Sequence, residues 1–570
     1  MRANVRFIPL IGALALIIYG LIQPVDQDSR WLLCLWGAAP LLGLALWFGR
    51  PPLPQGLARS VYNLALVVAL GFVLLSLQLL RQQVVQAGAI YEHVEIDAET
   101  GQVISNVRPV LEAQRIKRGT IFDRNGIPLV SSAVAPNGFA HRVYPLTERF
   151  EPRAFSNITG FFSRQFGQSG LEATYGDYLS GTRGNSIRNL RNELLGNTLE
   201  GNNLQLTLNA ELQARAAALL GGQSGSIVVL DPQTGAVLAM VSAPGFDPRG
   251  LSFDPNVPDW TTEDARIQQY WNELNDAAAG QPLVNRPTQG QYPPGSTFKT
   301  LTAVSILEHN AEPDTITCPN ELPVETGAPP VVNAVPGLAS LTGNPSNLER
   351  VYAYSCNTAF AQYALRLGTE RLAETARKFD IYRPGNAPES YPYFTDLATR
   401  PSRLFVQPGF LNRDAALADT GYGQGQLQVT PLQMALIAAT IAHDGVMLQP
   451  YLVQRVTDPD ENLILERRPR IIRQVMSADT AAIMRDNMGA VGQYGFGSVV
   501  SNFVSGVAVG GKSGTAELGP TIAPHAWFIA IAPLDQPRYA VCVMIEHGGE
   551  GSGAAAQLAG QVLQAAFAVE

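Results

Sequence analysis

The sequence predicts three successive parts: a membrane region over residues 1–82, a mostly β domain over 83–203, and a larger α+β domain over 204–570. Three apolar runs open the chain and short turn-rich patterns follow them. Strand-like segments then stand at both ends of the last part, with helical segments between. At 570 residues the chain is too long for one ordinary domain. The last part is expected to form a sheet from its two ends, with helices supplied by the middle.

The membrane prediction rests on apolar runs at residues 7–22, 31–48 and 61–80, each close to the roughly 20 residues of a spanning helix. No small-residue cleavage site follows the first run, so we do not expect a cleaved signal peptide. The alternative is the buried core of a soluble helical domain, which three such runs in the first 80 residues disfavour.

The charges beside these runs predict their orientation. Basic residues precede the first run and occupy the second loop, and acidic residues occupy the first loop: Arg2, Arg6, Arg50, Arg59, Asp26 and Asp28. By the positive-inside rule the N-terminus and the second loop are cytoplasmic, although Arg81 argues weakly against this. We therefore expect a multi-pass protein of the inner or plasma membrane whose chain after Leu80 is extracytoplasmic.

The middle part has turn signals but no cluster of Asp, Glu, His or Cys that resembles a catalytic set. The stretch from Asp123 to Gly126 predicts a turn between two strands, Gly119–Phe122 and Pro128–Val130. The sequence therefore favours a spacer or docking domain.

The last part contains segments that their periodicity identifies. A half-buried strand, a helix and an apolar hairpin begin it, and a strand and an amphipathic helix end it. In chain order these are Leu204–Leu208, Ala210–Leu220, Ser226–Leu230, Ala236–Val241, Tyr539–Ile545 and Ala554–Phe567.

Composition excludes several functions. The net charge of −8 and the pI of about 5.4 argue against a nucleic-acid partner. The absence of zinc-type Cys/His spacing leads us to expect neither a metal nor a cofactor. The lysines of the chain are Lys117, Lys299, Lys378 and Lys512. Lysine, unlike arginine, can lose its proton when desolvated and act as a base.

The first of three short motifs is Tyr292–Lys299 (YPPGSTFK). Its Pro-Pro-Gly breaks the chain before a helix-compatible stretch, which places Ser296 at or just inside a helix N-terminus, where free N–H groups suit an oxyanion. Lys299 shares one helical face with Ser296 and can be the base that a nucleophilic hydroxyl needs. The alternative is a capping serine beside a solvated lysine.

The second motif is Ser355-Cys356-Asn357. From a turn, Ser355 could relay a proton and Asn357 could bind a substrate amide. The alternative is a helix cap.

The third motif, Gly510–Glu517 (GGKSGTAE), follows a strand-like run. Glycines in a strand mark the close approach of a ligand or another backbone. Lys512 supplies a cation, and Ser513 and Thr515 supply hydroxyls and an N–H group, so the motif could hold a carboxylate and complete an oxyanion hole. The alternative is a glycine-rich bend with a solvated lysine.

Ser-x-x-Lys, Ser-x-Asn and Lys-Ser-Gly occur in this order across about two hundred residues, a set typical of penicillin-binding proteins and class A β-lactamases. With further segments, the chain resembles a class B penicillin-binding protein over roughly residues 85–570. These segments are Arg118–Gly126, Arg142–Pro145, Gly170–Glu172, Asn285–Gly290, Gly423–Gly425, Thr430–Ala435 and His525–Phe528.

The resemblance implies a β-lactamase-like transpeptidase fold behind a non-catalytic pedestal, and peptidoglycan D,D-transpeptidase activity. Ser296 would attack the penultimate D-Ala carbonyl of a stem peptide, with Lys299 as the base, and β-lactams would acylate the same serine. The catalytic set would be Ser296, Lys299, Ser355, Asn357 and Lys512, and the substrate-binding set Ser513, Gly514 and Thr515.

Two features depart from the family pattern. Ser513 stands where the family usually has threonine, which keeps the hydroxyl, and three spans are predicted instead of one. No glycosyltransferase-like acidic motif precedes residue 204. The resemblance therefore implies a separate polytopic membrane glycosyltransferase of the rod-shape or division type as a partner.

Rival functions use the same motifs. A D,D-carboxypeptidase or β-lactamase would use water as the acceptor, and a β-lactam sensor or scaffold would not turn over. The pedestal and the spans favour the transpeptidase, and the loop Gly49–Ser60 is too short for a sensor's effector domain. The sequence leaves open whether Cys318 and Cys356 pair, which stem peptide is used, and whether the role is in elongation or division.

Overall fold

The computed structural model describes residues 6–23, 28–49, 56–86, 94–96, 103–105, 113–145, 149–184 and 199–569, with positions 188, 191, 192 and 195. The chain divides into two compact units, Met1–Ala113 and Gln114–Glu570. Arg2, Asp26 and Arg50, on which the predicted orientation partly rests, lie outside the described residues.

The N-terminal unit contains the apolar helices α1 (Phe7–Leu21), α2 (Asp28–Gly49) and α3 (Leu57–Leu80), with a π-helical turn at Arg81–Val85 and the strand pair β1 (Val94–Ile96) and β2 (Val103–Ser105). Among the residues that the structure describes, two segments are long and apolar enough to cross a membrane, Ser29–Gly49 and Arg59–Val85. The first apolar run forms a helix of only 15 residues, shorter than the roughly 20 of a typical span. Three spans therefore stay a prediction.

Arg81 is fully buried at the end of α3. Its guanidinium donates to the carbonyl oxygens of Gly20 (3.2 Å) and Gln23 (3.4 Å) at the end of α1, and lies 5.5 Å from the ring of Trp31. A cation is favourable at a helix C-terminus, where carbonyl groups lack partners. Arg81 therefore ties the helices of this unit together.

The second unit mixes helices and strands. Its strands are β3 (Ile121–Phe122), β4 (Pro128–Val134), β5 (Ala140–Val143), β6 (Phe162–Ser163), β7 (Gly167–Gln168), β8 (Asn203–Leu206), β9 (Gly225–Leu230), β10 (Val237–Ala243), β11 (Glu321–Leu322), β12 (Val331–Val332), β13 (Ile381–Tyr382), β14 (Ser402–Arg403), β15 (Val446–Leu448), β16 (Val453–Thr457), β17 (Leu463–Glu466), β18 (Ile471–Gln474), β19 (Gly510–Ala516), β20 (His525–Ala532) and β21 (Tyr539–Ile545). Its α-helices are α4 (Ser156–Thr159), α5 (Gly170–Thr174), α6 (Gly176–Leu179), α7 (Ala210–Leu219), α8 (Trp260–Asn275), α9 (Arg286–Gln289), α10 (Lys299–Glu308), α11 (Ala339–Thr342), α12 (Leu348–Ala353), α13 (Asn357–Lys378), α14 (Asp414–Gly421), α15 (Pro431–Ala442), α16 (Ala478–Gln493) and α17 (Ala556–Ala568).

The five-stranded sheet has the order β10-β9-β21-β20-β19 and is antiparallel throughout. It joins the hairpin of β9 and β10, near the start of the last part of the chain, to the strands β19, β20 and β21 near its end, which confirms the predicted sheet and the α+β class. Helices α7 and α17 pack on one face and α15 on the other. Strands buried on both faces are apolar at every position rather than alternating, as the run Tyr539–Ile545 is.

A six-stranded sheet crosses the predicted domain boundary at residue 204. Its order is β17-β16-β8-β3-β4-β5, and β3 and β8 pair in parallel with Ile121 opposite Leu204, both fully buried. The predicted turn after Asp123 indeed joins the antiparallel strands β3 and β4. Because backbone hydrogen bonds continue across residue 204, the boundary there stays a prediction.

A buried ion cluster holds the pedestal together. Glu172 accepts from Arg118 Nε at 2.9 Å and from Arg142 Nε at 2.6 Å, and all three side chains are almost fully buried. Arg142 Nη1 also donates to the carbonyl oxygen of Gly119 at 2.8 Å. The cluster thereby fixes the chain that leads into β3.

Candidate active site

Ser296 lies in a 3₁₀ turn, Gly295–Phe298, that leads directly into α10. The sequence predicted this place at a helix start, where first-turn N–H groups lack intrahelical partners. Gly295 has φ +55°, and a Cβ there would lie 2.4 Å from the carbonyl oxygen of Thr515. A Cβ on Gly514 would likewise meet Thr297 and Pro294 at 2.8 Å. The turn of the first motif and the strand of the third therefore touch, and glycine permits the contact.

Lys299 is fully buried at the first position of α10. Its Nζ lies 2.6 Å from the carbonyl oxygen of Ser355, 2.7 Å from Oδ1 of Asn357 and 2.9 Å from Oγ of Ser355. Ser296 Oγ is not among these hydrogen-bond partners. Burial lowers the pKa of Lys299 well below its ordinary range, and the neighbouring Lys512 lowers it further.

Lys299 Nζ donates three hydrogen bonds, to the Ser355 carbonyl oxygen, to the Asn357 amide oxygen and to the Ser355 hydroxyl oxygen. Because burial lowers the pKa of Lys299, its amine can also lose the third proton. A neutral lysine in this position is equipped to act as a base.

Ser355 stands between the two helices α12 and α13, with φ +58°. This left-handed conformation is uncommon outside glycine and turns both the carbonyl and the hydroxyl towards Lys299. Lys512 Nζ lies 3.0 Å from the same hydroxyl oxygen. Asn357, at the start of α13, donates through Nδ2 to the carbonyl oxygen of Val332 at 2.9 Å.

A disulfide between Cys318 and Cys356 anchors the second motif, with the Cα atoms 6.3 Å apart. The structure thus answers a question that the sequence left open. Both cysteines are fully buried, and Cys356 stands between Ser355 and Asn357. The bridge restrains the turn that presents these two side chains to Lys299.

The third motif forms the edge strand β19 of the five-stranded sheet. Lys512 is fully buried and donates to its neighbour's carbonyl, that of Ser513, at 2.9 Å, and burial lowers its pKa to about 7. Alternate backbone groups of an edge strand point away from the sheet. These groups of β19, with the Thr515 backbone, face the turn that carries Ser296.

Two loops complete the contacts of β19. Gln424 Nε2 donates to the Thr515 carbonyl oxygen at 3.4 Å, and the backbone N–H of Gly551 donates to Thr515 Oγ1 at 3.2 Å. A Cβ on Gly423 would lie 1.8 Å from the carbonyl oxygen of Gly295. The loop of Gly423 and Gln424 therefore packs against both the turn and the strand.

All eight predicted site residues lie in these three neighbouring segments. The prediction missed a partly buried network beside the Ser296 turn, in which Glu546 accepts from Tyr292 OH at 2.7 Å and from Arg286 Nε at 2.9 Å. Arg286 and Tyr292 belong to segments that the family resemblance had marked. Glu546 is an isolated acidic residue after β21, and no sequence signal singles it out.

Comparison with known proteins agrees with this geometry. Residues 225–564 match the family model of the penicillin binding protein transpeptidase domain, and residues 118–204 match that of the penicillin binding protein A dimerisation domain. The chain is 34% identical over 458 residues to the peptidoglycan D,D-transpeptidase PbpA of Mycolicibacterium smegmatis, covering 78% of this chain and 87% of that protein. It is 31% identical over 509 residues to the peptidoglycan D,D-transpeptidase MrdA of Haemophilus influenzae, covering 80% of this chain and 73% of that protein.

Solved structures are similar as well. The ceftriaxone acyl-enzyme complex of penicillin-binding protein A from M. tuberculosis matches with a TM-score of 0.70 and 31% identity, over 80% of this chain and 100% of that one. The D,D-transpeptidase domain of a peptidoglycan glycosyltransferase from Eggerthella lenta matches with a TM-score of 0.65 and 30% identity, over 80% and 99% of the two chains.

Proposed function

This chain belongs to the class B penicillin-binding proteins, and from that premise we propose that it cross-links peptidoglycan stem peptides as a D,D-transpeptidase with an acyl-enzyme on Ser296. One observation carries the proposal. Lys299 is fully buried one helical turn from Ser296, with its amine bonded to Ser355 and Asn357 and to no carboxylate among the described residues. Because burial lowers the pKa of Lys299, this amine can accept the proton of a nearby serine hydroxyl and so activate the serine as a nucleophile.

Acylation would begin with substrate binding along β19. Lys512, with the hydroxyls of Ser513 and Thr515, would hold the terminal carboxylate of the D-Ala-D-Ala donor. A side chain at position 514 would clash with Thr297. Glycine at this position therefore leaves room for both the donor peptide and the Ser296 turn beside β19. The donor then presents its penultimate carbonyl to Ser296.

Acylation would proceed in two stages: a bond forms to Ser296, and then the amide bond of the donor breaks. Ser296 Oγ bonds to the carbonyl carbon while its proton passes to Lys299 Nζ, and the backbone N–H groups of Ser296 and Thr515 hold the oxyanion. Catalytic hydrogen bonds often tighten only in the substrate complex, so the present partners of Lys299 do not conflict with this step. The amide C–N bond then breaks, and the leaving D-Ala nitrogen takes a proton through the Ser355 hydroxyl, which Lys299 resupplies.

Deacylation would reverse this route with a different amine. The amine of a second stem peptide bonds to the acyl carbonyl carbon, and the ester bond between that carbon and Ser296 Oγ breaks. The proton of the amine returns through Ser355 and Lys299 to Ser296 Oγ. The product is an amide cross-link between two stem peptides. β-Lactams acylate Ser296 by the same first step, as the acyl-enzyme structures of the similar M. tuberculosis protein support.

The rest of the chain would place this chemistry at the membrane. We assign residues 1–82 to a membrane region that crosses the membrane up to three times, residues 83–203 to the pedestal, and residues 204–570 to the transpeptidase domain. The extracytoplasmic side then holds the catalytic domain. A separate polytopic glycosyltransferase of the rod-shape or division type would supply the glycan strands, through contacts with the spans and the pedestal.

The test is labelling of the purified full chain with a fluorescent penicillin, wild type against Ser296→Ala, with the labelled peptide identified by mass spectrometry. We expect label on Ser296 and none in the variant; a folded wild-type protein that takes no label would contradict the proposal. A product assay with stem peptides then decides the acceptor. Cross-linked dimers support the transpeptidase, and free D-Ala alone would indicate a carboxypeptidase.

A further inference from the structure

A partly buried ion pair lies next to the segment that leads into the Ser296 turn. Arg286, only 3% exposed, donates through Nε to Glu546 Oε1 at 2.9 Å, and Tyr292 OH donates to the same oxygen at 2.7 Å. Glu546 follows the last residue of β21, and Arg286 begins α9. The network therefore joins the end of β21, in the five-stranded sheet, to the segment that leads into the first motif.

Tyr292 is stiffly connected to the nucleophile. Two prolines, Pro293 and Pro294, stand between it and Gly295, and proline fixes φ. The backbone of Tyr292 also exchanges hydrogen bonds with Val429, at 3.0 and 2.9 Å. A displacement of Tyr292 would therefore be transmitted along a short rigid segment to Ser296.

The tyrosine ring also meets the strand beside the third motif. It lies 5.4 Å, edge to face, from the ring of His525 and 6.3 Å from that of Trp527, both on β20. Strand β20 pairs with β19 along its whole length, with His525 opposite Ala516. Tyr292 is thus linked to Ser296 through the backbone, and its ring contacts the strand β20, which pairs with the third motif.

The charges in this network match its hydrogen bonds. Burial, together with the bond to Glu546, raises the pKa of Tyr292, so the phenol keeps the proton that it donates. Burial alone would raise the pKa of Glu546, but the bonds from Tyr292 and Arg286 lower it below its ordinary value. An ionised acceptor makes both hydrogen bonds strong.

We infer that Tyr292, Glu546 and Arg286 are positioning residues for acyl transfer, which hold the turn Pro293–Ser296 against β19 so that Ser296 Oγ faces the oxyanion site. The inference rests on the proposed function. Since reacting atoms must be placed to within a fraction of an ångström, loosening this turn lowers the rate of the chemical step more than it weakens binding.

The chain offers a matched control, because a tyrosine, a carboxylate and an arginine also meet in a different place. Tyr175 OH donates to Asp396 Oδ1 at 2.7 Å, and Arg467 pairs with Asp396 at 2.8 Å. Tyr175 and Asp396 are buried. This trio links the pedestal to a loop of the catalytic domain and makes no hydrogen bond to the three motifs. Tyr175 OH also accepts from Arg467 Nη2 at 2.8 Å. Tyr175→Phe therefore removes a tyrosine–carboxylate bond and this second bond, neither of which has a part in positioning Ser296.

The experiment measures the acylation of the full chain by benzylpenicillin in stopped flow, which separates the dissociation constant of the initial complex from the first-order acylation constant. We expect Tyr292→Phe to lower the acylation constant roughly 10- to 100-fold with little change in the dissociation constant. Glu546→Gln keeps an acceptor oxygen and should lose less than Glu546→Ala. The double variant Tyr292→Phe/Glu546→Ala should be no slower than Glu546→Ala alone. The hydrogen bond that Tyr292→Phe removes is already lost in Glu546→Ala.

Tyr175→Phe should lower the melting temperature and leave the acylation constant at the wild-type value. The inference is overturned if Tyr292→Phe acylates at the wild-type rate, if it changes only the dissociation constant, or if Tyr175→Phe slows acylation equally. Should Glu546→Ala fail to fold, Tyr292→Phe against Tyr175→Phe still decides. A wild-type protein that is not acylated overturns the proposed function itself, and the inference with it.

Discussion

Lys299 and Lys512 approach one hydroxyl from two sides: their Nζ atoms lie 2.9 and 3.0 Å from Ser355 Oγ. Both lysines are fully buried, and neither forms an ion pair with a carboxylate among the described residues. Two ammonium groups so close together would repel each other in a medium that screens poorly. This repulsion adds to burial in lowering the pKa of Lys299, and the shared hydroxyl can pass a proton between the two amines.

Replacement of the base should stop acylation. Lys299→Arg keeps a cation but cannot accept a proton, because a guanidinium does not deprotonate in proteins. We expect the acylation rate to fall roughly 100- to 10,000-fold, measured with a fluorescent penicillin. Lys378→Arg is the matched control, since Lys378 is a partly exposed residue of α13 paired with Glu374. Retained acylation in Lys299→Arg would remove Lys299 from the role of base.

Binding of a carboxylate should take up a proton above neutral pH. The pKa of Lys512 is about 7 in the free protein, so the lysine is mostly neutral above pH 7 and charged below it. A bound carboxylate favours the charged form and raises this pKa. Binding at pH 8 should therefore take up close to one proton and binding at pH 6 almost none, so that affinity falls as pH rises above 7.

This proton uptake can be measured by calorimetry in buffers of different ionisation enthalpy. The protein would be Ser296→Ala, which binds a peptide ending in D-Ala-D-Ala without turnover. Lys512→Met in the same background should abolish the uptake. Equal proton uptake at pH 6 and pH 8 would contradict the assignment of Lys512 as the carboxylate's cation.

The disulfide should stabilise both the fold and the second motif. A bridge across 38 residues lowers the conformational entropy of the unfolded chain, which raises the free energy of unfolding by about 4 kcal/mol in the chain-entropy treatment. The double variant Cys318→Ala/Cys356→Ala should therefore unfold more easily, and it should acylate more slowly because Ser355 and Asn357 lose their anchor. A reducing agent should move the wild-type protein towards the variant and leave the variant unchanged. An unaltered acylation rate would show that the turn is set without the bridge.

Gly295 should tolerate no side chain. Its φ of +55° and the 2.4 Å approach of an added Cβ to the Thr515 carbonyl oxygen both oppose Gly295→Ala, and we expect acylation to be lost. Gly327 has φ +86° with nothing within 4 Å of an added Cβ. Gly327→Ala should thus cost only the backbone term, about 1 kcal/mol of unfolding free energy, with normal acylation. Comparable acylation in the two variants would refute the close contact of turn and strand.

The pedestal cluster should matter for stability and not for chemistry. Glu172→Ala leaves Arg118 and Arg142 buried without their shared carboxylate, which should lower the unfolding free energy by roughly 3–5 kcal/mol. Glu200→Ala breaks the more exposed contacts with Lys117 and Arg188 and should cost less than about 1 kcal/mol. Chemical denaturation measures both. If the two variants lose similar unfolding free energy, the buried cluster contributes no more to stability than the exposed one, contrary to our expectation.

Local patterns in the sequence predicted the local elements well. The hairpin of β9 and β10 and the strand Tyr539–Ile545 follow from runs of apolar residues between turn signals. The position of Ser296 at a helix start follows from the Pro-Pro-Gly break. The apolar run at residues 7–22 forms the helix Phe7–Leu21, while its assignment as a membrane span stays a prediction.

Pairings between distant segments were not predictable. Glu546 lies 254 residues from Tyr292 in the sequence, and only the fold brings their oxygen atoms within 2.7 Å. The pairing of β3 with β8 across the expected domain boundary has the same origin, since strand partners are chosen by shape and burial and not by neighbours in sequence. The Cys318–Cys356 bridge likewise depended on where the two segments meet.

The sequence by itself determined the family, the chemical groups of the three motifs and the order in which the chain supplies them. Only the tertiary structure decided which of those groups share one site and in which direction the pKa of each lysine shifts. Ser355 is 56 residues from Lys299 and 157 from Lys512 in the chain, yet its hydroxyl contacts both amines. The pKa of a lysine depends on its burial and on the charges around it, and both are set by segments that are remote in sequence.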